Sequence, residues 1–546
     1  MKLNATMLYI GWVAPMLGVA TVIAAAHSSW VAAKVASVRT RQWALLITGA
    51  ALALRMWLAP GGWGDQRATL TSTFDGGPPL EDFGTYGRGI EAVLGPWFRL
   101  FDLGPASLEY VGLAFGALAP IALFALLRGL RFSHLMARFA SICLALAPLH
   151  VRFSPTLNRY VIALTLWCGA VATLLWHLRS TPIKGRSLHL MGVASAVAWA
   201  CQCRPDMMWL PALIVALTWA TETSKRERRT ITLIVTIIAA LLLLPASALL
   251  SRLGGAEEWY RFTQGSESRT MMRGLLSSDH NLVICSVYTP LAWSVLALWG
   301  GFRGLLVVRL RRATLWLLTW AVIATAIVGT SDISEDLLSA RYHLLALPAW
   351  CALMALGAEG LYLQMHSERL AQAVAATLLI LTPWSQLEYT NRVTTQDQEI
   401  TFLRRVLKDI PDGCTVVAFQ PKAQDLGIRP DLQLSLFAKR HHLWTEAWQP
   451  QSTHRDVSCA VVYRGSSCDV AFYAPEIAEE RRQICNELEQ PISMLIAETS
   501  LSNDTIGSHR LRTQRVRVSM AWLRRPHSWT RPRSRDNTAP KSHSTR

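Results

Sequence analysis

A chain of 546 residues, 51% hydrophobic and carrying a formal net charge of +17, is long enough to hold more than one domain. Soluble proteins are also about 45–50% apolar, so the distribution decides the class. Apolar blocks of bilayer length recur from the N-terminus to about Leu387 and then stop. A helix needs roughly 20 such residues to cross the hydrocarbon core, which argues against a soluble globule and for a polytopic membrane protein.

Twelve spans are expected, centred on residues 3–26, 43–60, 106–127, 137–151, 160–178, 188–203, 207–221, 230–250, 284–302, 313–330, 343–361 and 370–387. The first opens with Met1-Lys2 and contains "IAAAHS", in the manner of a signal peptide. Its apolar stretch is longer than a signal core, and an uncleaved span is expected. The loops "KVASVRTRQ", "RGLRFSHLMAR", "RSTPIKGRS", "SKRERR" and "RGLLVVRLRR" are short and basic, and they alternate with connections that hold most of the acids. The positive-inside rule makes the basic set cytoplasmic. Residues 61–105, 152–159, 251–283, 331–342 and everything after about 388 then lie outside. Topology and a basic tail account for the positive charge, and nucleic acid is not an expected partner.

Cys143, Cys168, Cys201, Cys203, Cys285 and Cys351 sit in or beside apolar spans and read as small core residues. Cys414, Cys459, Cys468 and Cys485 fall in the external C-terminal region, where one or two disulfides are plausible and three connectivities are open.

After the last span the composition turns polar. "EITFLRRVLKDIPDG" reads as a helix, "CTVVAF", "CAVVY" and "ISMLIAE" as strands, "EIAEERRQICNELEQ" as a charged helix, and "HRLRTQRVRVSMAW" as a half-exposed strand. The expected architecture is mainly α: a transmembrane helix bundle over residues 1–387, an extracytoplasmic α/β domain over 388–523 and a disordered basic tail over 524–546.

Four stretches carry candidate chemistry. The span "ALLITGAALALRMWL" leads into an external loop, 61–105, that begins "APGGWGDQRATLTSTFDGGPPLEDFGTYGRG". "APLHVRFSPTLNRYV", "QCRPDMMWLPAL" and "SARYHLLALPAW" follow in order. Together these resemble the C-type (GT-C) glycosyltransferases, integral membrane enzymes that include dolichyl-phosphate-mannose protein mannosyltransferases and bacterial aminoarabinose transferases. The resemblance covers roughly residues 40–390. It departs from the family pattern at Asp65-Gln66, where Asp-Glu is usual, and at Asp82-Phe83, which lacks a following His-Pro-Pro.

The resemblance implies transfer of a sugar from a polyprenyl-phosphate donor to a protein, lipid or glycan acceptor at the outer face of the bilayer, with inversion at the anomeric carbon. The residue chemistry agrees. An ionised Asp at the water–membrane boundary can act as a base, and arginines hold a phosphate on which charge develops. Asp65 and Asp82 are the catalytic candidates. Arg152, Arg159, Arg204 and Arg341 are the candidates for the donor phosphate, and Tyr160, Tyr342 and Glu81 for substrate binding.

Bland readings stand beside these. Asp65 fits an ordinary loop acid, Asp82 a helix cap and Asp75 a turn residue. Arg152 and Arg159 could snorkel to headgroups, Arg204 could pair with Asp206, and His150 reads as a satisfied interfacial histidine. "SSDHN" at 277–281 offers two adjacent ligands without a third, so no metal or other cofactor is indicated. The competing function is a secondary transporter or lipid flippase. Such proteins place charged sites near mid-membrane and often show internal repeats, and neither feature is evident here. A membrane scaffold with an external binding domain would leave the loop acids without a purpose.

Overall fold

The computed structural model describes residues 38–58, 106–154, 159–179, 186–203, 207, 209–220, 229–234, 237, 290–329, 339–365, 368–384, 402, 405–411, 414–418, 442–444, 459–464, 500–508 and 514–524. The chain forms two compact units, Met1–Arg392 and Val393–Arg546.

The first unit is helical. Its helices are α1 (Val38–Leu58), α2 (Ala106–Gly129), α3 (His134–Leu146), α4 (Pro148–Phe153), α5 (Arg159–Arg179), α6 (Arg186–Cys203), α7 (Leu210–Ala220), α8 (Leu291–Leu306), α9 (Val308–Gly329), α10 (Leu347–Gln364) and α11 (Glu368–Ala376). A 3-10 turn, Ser339–Leu345, leads into α10, and a π turn, Thr377–Leu381, prolongs α11. Residues 229–234 are also helical. Among the described residues, the helices over Tyr110–Gly129 and Arg159–Leu178 are each long and apolar enough to cross a bilayer.

Local chemistry sets several helix ends. Ser133 caps α3 by accepting the Met136 amide at 3.0 Å, which satisfies one of the orphan donors of the first turn. Arg131, with φ at 67°, makes the tight reversal between α2 and α3. The expected span over 137–151 is two helices rather than one. Ala147 takes an extended ψ of 116° and Pro148 starts α4. A residue before proline is pushed out of the α region, and proline is well suited to a first helical position.

α2 packs on α5, α5 on α6, α3 on α10, and α8 on α10. The α8–α10 crossing is a glycine contact. A Cβ on Gly300 would lie 2.6 Å from the Gly357 nitrogen, and one on Gly357 would lie 3.0 Å from the Leu296 carbonyl carbon. The two backbones approach where side chains would otherwise keep them apart. Trp167, Trp293 and Trp320 fill the interior. Their indoles are placed by geometry: Trp320 donates to the Leu345 carbonyl at 2.9 Å and meets Trp167 edge-on at 6.1 Å. Trp293 donates to the Leu378 carbonyl inside the π turn at 2.6 Å.

The second unit holds a five-stranded mixed sheet, ordered β2-β1-β3-β5-β4. Its strands are β1 (Thr415–Ala418), β2 (His442–Trp444), β3 (Ala460–Arg464), β4 (Ser500–Ser508) and β5 (Gln514–Arg524). β1 lies parallel to both β2 and β3, β5 lies antiparallel to β3, and β4 antiparallel to β5. Val461 pairs with Trp522 and Tyr463 with Met520, and all four are buried. Phe402 stacks on Tyr463 at 6.4 Å, so the segment ending in the 3-10 turn Leu407–Asp409 covers that face. A disulfide joins Cys414 and Cys459, which directly precede the paired residues Thr415 and Ala460. It therefore adds a covalent rung to the ladder. The expected strand "ISMLIAE" and the charged helix before it lie outside the described residues.

Candidate active site at one half of the helical bundle

Helix directions sort the first unit into two halves. In one half, Gly129 at the end of α2 faces Leu175 near the end of α5. The Ser133 hydroxyl donates to Glu359 near the end of α10, and Arg303 near the end of α8 lies 3.9 Å from the same carboxylate. The basic connections "RGLRFSHLMAR" and "RGLLVVRLRR" run through this half. The opposite half holds the end of α1, the start of α5, the 3-10 turn before α10, and all of α4.

This second half gathers the expected phosphate-binding stretches. α4 packs against α1, α3 and the 3-10 turn, and α5 also packs against that turn. The Thr165 hydroxyl donates to the Phe115 carbonyl at 3.1 Å, which fixes the first two turns of α5 beside α2. Phe115 also meets Trp199 edge-on at 6.2 Å, so α6 returns to this half before ending at Cys203. The Cys201 thiol closes the next turn onto the Met207 carbonyl. Arg152, Arg159 and Tyr160 from one segment and Arg341 from another are thus brought to the same half of the molecule.

Arg159, Tyr160 and Arg341 are buried and Arg152 is half-buried. The Arg152 Nη1 is itself shielded and has no hydrogen-bond partner among the described residues. Tyr342 lies in the same 3-10 turn. Asp65, Asp82, Glu81 and Arg204 lie outside the described residues.

Arg55 stands in the span that leads into the first external loop, and no role of its own was legible for it in the sequence. It sits one turn from the end of α1 and is fully buried. Its Nη1 donates to the Ala51 and Ala145 carbonyls at 2.9 and 3.3 Å, and its Nε donates to the Ser154 hydroxyl at 3.1 Å. Its Nη2 lies 2.5 Å from His150 Nδ1. The Ser154 hydroxyl in turn donates to the His150 carbonyl. Gly116 makes room for the group, since a Cβ there would lie 3.1 Å from the Arg55 Nε and closer still to Ser154. His150 is fully buried, and its Nδ1 faces the Arg55 guanidinium. A basic residue inside a span is rare enough to mark function by default, and that signal was present at Arg55.

Among the described residues no group of three or more His, Cys, Asp or Glu side chains is arranged for a metal ion. Cys143, Cys168, Cys201, Cys203 and Cys351 are buried within the helical core and form no disulfide among the described residues.

No family model matches the chain, and no curated protein matches it in sequence. Its fold does have counterparts among solved structures. ArnT from Cupriavidus metallidurans in the apo state matches with a TM-score of 0.53 at 13% identity, over 88% of this chain and 98% of ArnT. ArnT bound to undecaprenyl phosphate matches with a TM-score of 0.51 at 14% identity, again over 88% and 98%. The oligosaccharyltransferase of Archaeoglobus fulgidus, complexed with Zn and sulfate, matches with a TM-score of 0.50 at 11% identity, over 87% of this chain and 73% of that one. The chain has the fold of the GT-C membrane glycosyltransferases.

Proposed function

We propose that this chain is a multi-pass membrane glycosyltransferase that moves a sugar from a polyprenyl-phosphate donor to a protein, lipid or glycan acceptor. The observation that carries the reading is a fold match over 88% of this chain and 98% of ArnT, a protein whose structure holds undecaprenyl phosphate. A correspondence of that extent leaves little of either chain without a counterpart. The gathering of Arg152, Arg159 and Arg341 in one half of the bundle supports it further.

In this reading residues 1–387, with twelve spans, form the transferase body, and 61–105 supplies the acids. Residues 388–523 form an extracytoplasmic α/β domain followed by the basic tail, and the host membrane is a bacterial inner membrane. Asp65 takes the proton of the acceptor hydroxyl as its oxygen bonds to the anomeric carbon. The bond from that carbon to the phosphate oxygen breaks, and its electron pair leaves on the phosphate. Attack opposite the leaving group inverts the centre, through a transition state of oxocarbenium character. Arg152, Arg159, Arg204 and Arg341 stabilise the charge that grows on the phosphate. Asp82 is the second acid, and Tyr160, Tyr342 and Glu81 contact the substrates.

Membranes containing wild type or Asp65→Asn at matched protein levels test this directly. Radiolabelled sugar is followed from polyprenyl-phosphate lipids into protein, lipid and glycan fractions. Label that moves with wild type and stalls with Asp65→Asn is the expected result. Equal transfer by both removes Asp65 from the mechanism, and no transfer from any donor sinks the enzyme reading in favour of translocation.

A further inference from the structure

The break after Ala147 leaves backbone carbonyls in need of partners. In an unbroken helix the Leu144 carbonyl takes the amide of residue 148, and the Ala145 carbonyl takes that of residue 149. Pro148 has no N–H to give, and the last carbonyls of a helix must be met from elsewhere. Side chains meet them here. The His150 ring reaches the Leu144 carbonyl, and Arg55 Nη1 donates to the Ala145 carbonyl at 3.3 Å. Arg55 Nη2 lies 2.5 Å from His150 Nδ1, and Arg55 Nε donates to the Ser154 hydroxyl at 3.1 Å. One guanidinium on α1 therefore grips both the end of α3 and one face of α4.

That grip fixes which way α4 faces. His150 and Ser154 are four residues apart and share a face of the helix, the face turned to Arg55. Arg152 is two residues from each, about 200° round the axis, and so stands on the opposite face. Its Nη1 is shielded and has no hydrogen-bond partner among the described residues. Val151 packs on Leu54 of α1, beside the clamp. A methionine at position 55 could fill the same space, but it could not hold these partners at fixed angles as the planar fork of a guanidinium does.

We infer that Arg55 is a positioning residue for the phosphate site: with His150 it holds the α3–α4 break, and it thereby sets the direction in which Arg152 presents its guanidinium to the donor phosphate. The clamp rests on the contacts above, and its service to Arg152 rests on the transferase reading.

The first test needs no substrate. Leu54→Cys and Val151→Cys are introduced together in the full chain, and their cross-link is identified as the linked peptide by mass spectrometry. It should form in the parent pair and fall sharply when Arg55→Met is added, or Arg55→Lys, which keeps the charge and loses the fork. A pair that does not link in the parent, or that links equally in all three, overturns the clamp. The second test is a double-mutant cycle on affinity for undecaprenyl phosphate relative to undecaprenol, measured with the full chain in detergent. Arg55→Lys and Arg152→Gln should each reduce that preference by about tenfold or more, the value of one hydrogen bond to a charged group. The double variant should be no worse than Arg152→Gln alone. Losses that multiply mean that Arg55 acts by another route, and no loss in Arg152→Gln removes the residue it is said to position; either result overturns the inference. If wild type does not prefer the phosphate, the donor assignment falls and takes the service to Arg152 with it, while the cross-link still judges the clamp. Preference for the phosphate without label transfer sinks the enzyme reading and leaves the positioning role standing.

Discussion

The glycine contact between α8 and α10 gives the most direct test of the packing that supports the site. Replacing Gly300 with Ala drives a methyl carbon into the Leu353 carbonyl oxygen and puts it 2.6 Å from the Gly357 nitrogen and 3.0 Å from the Leu353 carbonyl carbon. Ordinary contact for a Cβ begins near 3.4 Å, so the helices must part by more than about 1 Å, and a radial gap of that size forfeits at least a quarter to a half of each dispersion well along the seam. The obstructing atoms are backbone and cannot rotate away. The cost should therefore fall at about 3 kcal/mol, the upper end of the overpacking range. Gly357→Ala presses on the same seam, with 3.2 Å to the Gly300 nitrogen. Once one methyl has opened the gap the second costs less, and the double variant should fall short of the sum by about 1 kcal/mol or more. The assay is heating in detergent with a thiol-reactive fluorophore, since Cys143, Cys168, Cys201, Cys203 and Cys351 are buried until the bundle opens. The seam argument fails if Gly300→Ala opens at the wild-type temperature, or if the two costs add without coupling.

Arg159→Lys and Arg341→Lys should fold normally yet lower kcat/KM for the lipid donor by about 10- to 100-fold, the value of one charge-assisted bond. Donor titrations read this, and unchanged kinetics in both would remove these arginines from phosphate binding. Glu359→Leu breaks the contacts to Ser133 and Arg303 in the other half of the bundle. It should cost about 1–3 kcal/mol of stability with transfer per folded molecule unchanged, measured by thiol exposure beside label transfer. Cys414 and Cys459 are separated by 45 residues, for which the chain-entropy model gives about 4 kcal/mol. Their replacement by Ser should make the second unit far more sensitive to limited proteolysis while the helical unit keeps its resistance.

Long apolar helices were legible because their signal is one-dimensional: length and composition place α2, α5 and α9 without knowledge of a partner. The same signal ran through the Ala147–Pro148 break, since a hydropathy block does not register a lost backbone bond. β1, β3 and β5 were legible from apolar runs or alternation. β4, "SLSNDTIGS", has little of either and exists through its ladder with β5. β2 is three residues long and pairs with β1 in parallel, a long-range contact that leaves no local pattern. At the site, the arginines at 152, 159 and 341 could be named as basic residues beside spans, and their convergence followed from assumed topology. The Arg55–His150 contact could not be named, because its geometry depends on the break after α3 that turns α4 toward α1.

The two halves of the helical unit treat charge differently among the described residues. In the half with the basic connections, Glu359 receives the Ser133 hydroxyl and faces Arg303, and the Arg303 Nη1 also donates to the Leu356 carbonyl at 3.1 Å. Cation, anion and donors there answer one another within the described residues, which is what a structural clamp between α3, α8 and α10 needs. In the other half, Arg55 is buried against two carbonyls, a hydroxyl and an imidazole, with no carboxylate among them. Burying a cation costs several kcal/mol unless an anion joins it. A fold that only had to pack could have used Leu or Met at this position with no such penalty. The chain instead keeps a guanidinium here, its donors met among the described residues by neutral groups alone.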